Sequence, residues 1–259
     1  MKWLIVGLVL AGLIIGIILA QRPTGPINLL NTSITNYQAY AYEAGGIIHV
    51  YYLEGNSIKA FEIINNRIAW INTNYPKALG GFGIVNGTLA FITLNTSLFI
   101  GGRFIGSSVI AWDYNGTLAL VEAPGLNITR TIIIIGDKVL SIPYTVGIRL
   151  CRNYAIIQLA NYTYLTYPGF RHYYYQYMTC NAYYTNGTLY YNGHAYRMPG
   201  VFIAYPSSGL VIGLANNGVW VGSRFFRIGT PAWAWAFMIG GRLYIIAVTE
   251  SGRLIVLVA

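Results

Sequence analysis

Residues 234–258 read AWAFMIGGRLYIIAVTESGRLIVLV, and residues 39–63 read AYAYEAGGIIHVYYLEGNSIKAFEI. Displaced by 195 positions, Ala39, Ala41, Gly45 and Gly46 fall on Ala234, Ala236, Gly240 and Gly241. Aromatic meets aromatic at Tyr40/Trp235 and Tyr42/Phe237, and aliphatic meets aliphatic at Ile48/Leu243, Val50/Ile245 and Leu53/Val248. One module at both ends of a 259-residue chain predicts a repeat architecture.

Between the two copies, short runs rich in Ile, Val, Tyr, Leu and Phe alternate with turn residues, and no helical periodicity of useful length occurs from Ile27 onward. Asn86-Gly87 separates GFGIV from TLAFITL, and Asn115-Gly116 separates VIAWD from TLALVEA, each the signal of a two-residue hairpin turn. Runs such as 132–135 (IIII) and 254–258 (LIVLV) are apolar at consecutive positions, which suits strands buried on both faces. The stretch from Arg152 to Tyr196 resists phasing.

Strand pairs recurring about every 40–50 residues, each entered by Gly-Gly, Asn-Gly or Gly-Asp, resemble the blades of β-propellers. Residues 217–222 (NGVWVG) are similar to the G-x-[LV]-W-[IV]-G strand of sensor-type propeller repeats. The resemblance implies an all-β closed ring. The last repeat ends after a third strand, while 27–35 (INLLNTSIT) offers a spare strand before the first. If that strand completes the last blade, both exposed edges disappear together. A uniform step of about 39 residues gives six blades, the favoured count, with five or seven open; a β-sandwich is the alternative.

Residues 3–20 (WLIVGLVLAGLIIGIILA) carry no charge, and at about 1.5 Å per residue a helix there spans about 27 Å, near the hydrocarbon thickness of a bilayer. The expected organisation is a transmembrane anchor over 1–20, a Pro/Gly stalk over 21–26 and an exterior domain over 27–259. A cleaved signal peptide, with secretion of the remainder, is the alternative for the first segment. Lys2 favours a cytoplasmic N-terminus, with the rest of the chain outside.

Composition narrows the function. A 55% hydrophobic and 9% charged chain is not disordered. Its 16 Lys and Arg against 7 Asp and Glu are scattered singly, without the basic run or stripe of a nucleic-acid binder. So few carboxylates would suit an acidic or hot exterior. In composition the chain looks similar to surface glycoproteins of hyperthermophilic archaea or their viruses.

The two cysteines, Cys151 and Cys180, most simply form one disulfide in an exported chain, with two buried free thiols as the alternative. Seven N-x-[ST] sequons, at Asn31, Asn86, Asn95, Asn115, Asn127, Asn161 and Asn186, predict glycosylation, although Asn86, Asn115 and Asn186 also belong to Asn-Gly turns. Twelve of the 23 tyrosines lie between 162 and 196. Tyr162, Tyr164, Tyr167, Tyr173, Tyr174, Tyr175 and Tyr177 are the candidate ligand surface, since exposed phenols suit sugars and partner chains. The plainer reading takes them as strand formers, and takes Trp233 and Trp235 as core.

Seven carboxylates and three histidines form no recognisable catalytic or metal-binding constellation, and no Walker, G-x-S-x-G or H-E-x-x-H motif is present. The expectation is a non-enzymatic, cofactor-free module that recognises a surface protein or a glycan. A filament or virion subunit and an exported hydrolase are the competitors.

Overall fold

A computed structural model describes residues 28–30, as backbone, and 33–259. They form 28 strands in seven four-stranded antiparallel sheets, arranged as a closed β-propeller. Blade 7 takes its outer strand from the other end of the chain: β1 (Asn28–Leu30) pairs antiparallel with the third strand of that blade, Leu29 opposite Ile255.

Blade 1 consists of β2 (Ala39–Ala44), β3 (Ile47–Glu54), β4 (Ser57–Ile64) and β5 (Arg67–Ile71). Blade 2 has β6 (Ala78–Val85), β7 (Thr88–Thr93), β8 (Leu98–Ile100) and β9 (Arg103–Gly106). Blade 3 has β10 (Val109–Tyr114), β11 (Leu118–Glu122), β12 (Ile132–Ile135) and β13 (Lys138–Ser141). Blade 4 has β14 (Thr145–Leu150), β15 (Ala155–Leu159), β16 (Tyr164–Tyr167) and β17 (His172–Tyr173). Blade 5 has β18 (Tyr177–Thr179), β19 (Ala182–Thr185), β20 (Thr188–Tyr191) and β21 (His194–Arg197). Blade 6 has β22 (Val201–Ser207), β23 (Leu210–Ala215), β24 (Gly218–Val221) and β25 (Arg224–Arg227). Blade 7 has β26 (Pro231–Ile239), β27 (Arg242–Thr249) and β28 (Leu254–Val258), completed by β1.

The expected six blades are therefore seven, and the sandwich alternative falls with the sheet order. The 195-residue displacement covers six steps of unequal length, from 39 residues (39 to 78) down to 24 (177 to 201). Blade 1 is the longest repeat and misled a uniform division. The two copies do occupy neighbouring blades in one register. Gly45-Gly46 and Gly240-Gly241 are the same turn, with φ values of 61°, 81° and 56°, 76°. Positive φ at both positions defines the type I′ hairpin that glycine and asparagine permit.

The second strands are nearly all interior. Every residue of β7 after Thr88, and every residue of β27 after Arg242, is buried, because neighbouring blades cover both faces of the sheet. The outer strands are open, as in β21, where all four residues are exposed. Six clusters of buried apolar side chains each join two adjacent blades. The largest unites blades 7 and 1 through Val50, Phe61, Ile246, Val248, Leu254 and Val256 among others. Such burial contributes about 1.5–3 kcal/mol per large side chain.

Polar bridges from side chain to backbone add direction at the seams. Trp112 Nε1 donates to Gly81 O at 2.8 Å, the Leu150 amide donates to Asp113 Oδ2 at 2.6 Å, and the Tyr184 hydroxyl donates to Val201 O at 2.6 Å. The Tyr205 hydroxyl both donates to Ala234 O and accepts from its amide, so burial costs it no hydrogen bond. Glycine at 83 is obligatory for the Trp112 bridge: a Cβ there would come within 2.6 Å of the indole.

The seam between blades 4 and 5 differs from the rest. Among the described residues no buried apolar cluster joins these two blades. Cys151, directly after β14, is instead disulfide-bonded to Cys180, directly after β18, with their Cα atoms 5.3 Å apart. The Tyr154 hydroxyl donates to Cys180 O at 2.7 Å. A line of stacked rings then crosses the seam: Tyr173, Tyr175, Tyr183 and Tyr190, with successive centroids 5.6, 4.4 and 4.7 Å apart. Here lies the stretch whose sequence resisted phasing.

No helix among the described residues is long and apolar enough to cross a membrane. The anchor over 1–20, the stalk over 21–26 and the sequon at Asn31 lie outside the described residues.

Candidate functional site

Antiparallel order gives the ring two unlike faces. Turns joining first to second and third to fourth strands lie on one face, and most are two-residue hairpins such as 65–66, 86–87, 101–102, 192–193 and 240–241. The second-to-third connections and the links between blades lie on the other, and include the longer segments 72–77, 123–131 and 198–200. These are called here the turn face and the loop face.

First strands of adjacent blades approach one another (β2 with β6 and β26, β6 with β10, β10 with β14), so they line the central channel. Five of them, β6, β10, β14, β22 and β26, carry a β-bulge near their loop-face start. A bulge re-aims the side chain it carries. The consequence is a set of exposed apolar residues where the channel opens: Leu79, Val146, Phe202 and Trp233, the last with 44% of its surface accessible. Trp233, which follows the unpaired Ala232 and stands opposite Val248, is thus not core. Trp235, the repeat partner of Tyr40, is only partly buried and packs beside the cluster of blades 7 and 1.

Deeper in the channel, a cleft of about 350 Å³ is lined by Tyr40, Trp112, Asp113, Tyr114 and Arg149 from blades 1, 3 and 4. Burial raises the pKa of the Tyr40 phenol, and the Arg149 guanidinium opposes the rise. Burial likewise raises Tyr177, again opposed by Arg149. A second cleft, of about 450 Å³, opens on the turn face between blades 3 and 4, lined by Asn115, Asp137, Lys138, Arg152 and Tyr154 among others.

The tyrosines predicted as one ligand surface separate. Tyr162 and Tyr174 are 79% and 78% exposed on the loop-face side, while Tyr164 is buried. Tyr167, Tyr173, Tyr175 and Tyr177 are half-buried, and Tyr173 and Tyr175 belong to the stack that holds blades 4 and 5 together. Six sequon asparagines fall among the described residues, and all six are exposed outside strands. Asn95, Asn127, Asn161 and Asn186 occupy the second-to-third connections of blades 2, 3, 4 and 5 in turn, all on the loop face. Asn86 and Asn115 lie in first-to-second turns of blades 2 and 3, on the turn face.

The titratable groups are largely engaged in structure. Glu62 pairs with His49 at 3.0 Å, Glu43 Oε1 accepts from the Gly46 amide at 2.7 Å, and Asp113 accepts from Leu150. His172 and His194 begin β17 and β21, the outer strands of adjacent blades. Among the described residues no three His, Cys, Asp or Glu side chains are grouped to hold a metal ion. The bulged mouth and the graded distribution of sequons were not foreseen, because bulges and blade order exist only once the strands are paired.

No protein-family profile matches the chain, and no curated protein sequence does. Among solved structures it is similar to the N-terminal domain of Nup159, at 8% identity and a TM-score of 0.39, covering 85% of this chain and 75% of that one. It is also similar to a chain in an S. cerevisiae complex of Dbp5 with Nup159, Gle1, IP6 and ADP, at 9% identity and a TM-score of 0.37, covering 92% and 93%. The propeller assignment rests on the seven-sheet order alone.

Proposed function

We propose that the chain is a membrane-anchored exterior binding module, which presents the loop face of its propeller to a surface protein or a surface glycan. The observation that carries this reading is the exposed apolar mouth of the channel, with Phe202 and Trp233 as its aromatic residues. Exposed aromatics at a rim of polar loops are the usual anchors of recognition. Glycosylation sharpens the location. Among the described residues, the loop-face sequons Asn95, Asn127, Asn161 and Asn186 belong to blades 2–5, and none lies on the loop face of blades 6, 7 and 1, where Phe202 and Trp233 stand. Tyr162 sits inside the Asn161 sequon, so a glycan there would hide it; the contact surface therefore moves from the tyrosine-rich region to blades 6 and 7.

The filament or virion alternative needed an N-terminal strand donated to a neighbour, and β1 instead closes its own ring. The hydrolase alternative needed two carboxylates close together in a cleft, and each of the two clefts described above has a single carboxylate in its wall, Asp137 in one and Asp113 in the other. A photo-reactive phenylalanine at position 233 in the full chain, in its native envelope, tests the proposal. One predominant cross-linked partner, or one glycan class, is expected, and it should vanish when the probe moves to Val139 on the outer rim of blade 3. Equal, diffuse labelling from both positions sinks it. Trp233→Ala with Phe202→Ala is expected to weaken the captured interaction by about thirtyfold, the scale of a lost hot spot.

A further inference from the structure

The turn face carries a feature that the scattered arginines of the sequence conceal. The first residue of the outer strand is basic in six consecutive blades: Arg67, Arg103, Lys138, His172, His194 and Arg224. Each follows a third-to-fourth connection, so all six stand on the rim of one face, and all six are exposed. Arg152, Arg171 and Arg242 add exposed cations from other turns of that face. The carboxylates there are few. Glu43 is bonded to its own turn and Asp137 sits beside Lys138, while Glu62 is paired with His49 and Asp113 is turned to Leu150 in the channel. The cleft of about 450 Å³ on this face has Lys138 and Arg152 in its wall.

The direction of β1 identifies what faces this rim. β28 runs from the loop face to the turn face, and β1 is antiparallel to it, with Asn28 opposite Val256 and Leu30 opposite Leu254. The chain preceding Asn28 therefore joins the ring at the turn face. From Gln21 to Ile27 there are seven residues, at most about 25 Å of extended chain, between the apolar segment and the strand.

We infer that the turn face is a docking surface for an anionic lipid bilayer, with the basic rim set against headgroup phosphates. The inference rests on the anchored reading above. Short turns suit a planar partner, since nothing long projects from them, and the inference requires that Asn86 and Asn115, sequons within Asn-Gly turns of this face, carry no glycan. Charge at the outer edge also discourages edge-to-edge sheet pairing, and the loop face has exposed cations of its own, Arg197 and Arg227 at the ends of β21 and β25 and Lys77, Arg130 and Arg253 in its connections. Edge protection alone does not explain why blades 1, 2 and 3 place their outer-strand cation only at the turn-face end.

The test uses the full chain reconstituted in neutral phosphatidylcholine vesicles and in vesicles containing phosphatidylglycerol, read by hydrogen–deuterium exchange. Amides around turns 65–66, 101–102 and 222–223 are expected to exchange about fivefold more slowly on the anionic vesicles, the factor for one basic residue at a charged surface. The slowing should disappear in about 1 M salt, where the screening length is about 3 Å. It should also disappear in the quadruple variant R67Q, R103Q, K138Q and R224Q, and survive when the three arginines become lysine, which controls for folding. Equal exchange on both vesicles, or slowing confined to the loop face, overturns the inference while leaving the anchor intact. A chain that washes off both vesicles in alkaline carbonate overturns the anchor, and this inference with it.

Discussion

The seam between blades 7 and 1 and the seam between blades 4 and 5 solve one problem with opposite means. At the first, strands of five to nine residues bring Phe61, Ile246, Val248 and Leu254 into one dry cluster, and β1 completes the ring. At the second, β17 to β21 have only two to four residues each, and the buried apolar side chains of blade 5 (Ala182, Tyr184 and Leu189) pack against blade 6, not blade 4. A disulfide and a row of stacked phenols stand there instead. Where the apolar side chains of a short blade are committed to one neighbour, a covalent and a directional link serve the joint to the other.

The comparison can be broken from its stronger side first. Phe61→Ala removes a ring with no accessible surface at the 7/1 seam and should destabilise by about 3–5 kcal/mol. Calorimetry should show a fall in Tm of about 6–20 °C at 2–4 °C per kcal/mol. A loss below about 1 kcal/mol would mean that closure rests elsewhere.

Reduction of Cys151–Cys180, or the pair C151S and C180S, releases a cross-link of 29 residues' separation and should cost about 3–4 kcal/mol. Amide exchange should then quicken first in β17 and β18, with the 7/1 seam unchanged. Uniform quickening around the ring would contradict the separate character of the two seams.

Tyr183→Ala, in the middle of the stack, should cost about 1–2 kcal/mol, and Tyr183→Phe well under 1 kcal/mol, since the rings and not the hydroxyls make the contact. Equal losses would assign the role to hydrogen bonding.

The smallest effect expected near neutrality is that of pH. Burial raises the phenols of Tyr51, Tyr52 and Tyr205, Tyr52 to about 12. The folded state therefore favours the protonated phenol. That contribution is complete below the unfolded value near 10 and is lost as pH climbs toward about 12. Absorbance titration should show the phenols of Tyr51, Tyr52 and Tyr205 ionising last, and only as the propeller opens. A single titration step with the fold intact would refute this ordering.

Much of this ring was legible in the residues. Gly45-Gly46 and Gly240-Gly241 gave the register of the closing blades, and the spare strand at 27–35 gave the closure. The blade count was not legible, because β18 to β20 are three or four residues each and lose the alternation that marks a strand. The channel mouth was hidden for a different reason. Trp233 aligns with Gln38 in the repeat, and the register shift at Ala232 beside it exists only once β26 and β27 are paired. The basic rim was present as Asn-Asn-Arg, Gly-Gly-Arg and Gly-Asp-Lys at 65–67, 101–103 and 136–138, a recurring turn followed by a cation. Single arginines mean nothing until the turns that precede them are known to share a side.

Because β1 pairs with β28, the ring stays open until the ribosome has made residues 254–258. Blades 1 to 6 can each fold as they emerge, and Cys151 and Cys180 can join well before the end. Every nascent or prematurely terminated product, however, displays an unpaired apolar edge. Blade 7 thus ties the first described strand to the last: a chain that stops short of β28 has no partner for β1 and cannot close the ring.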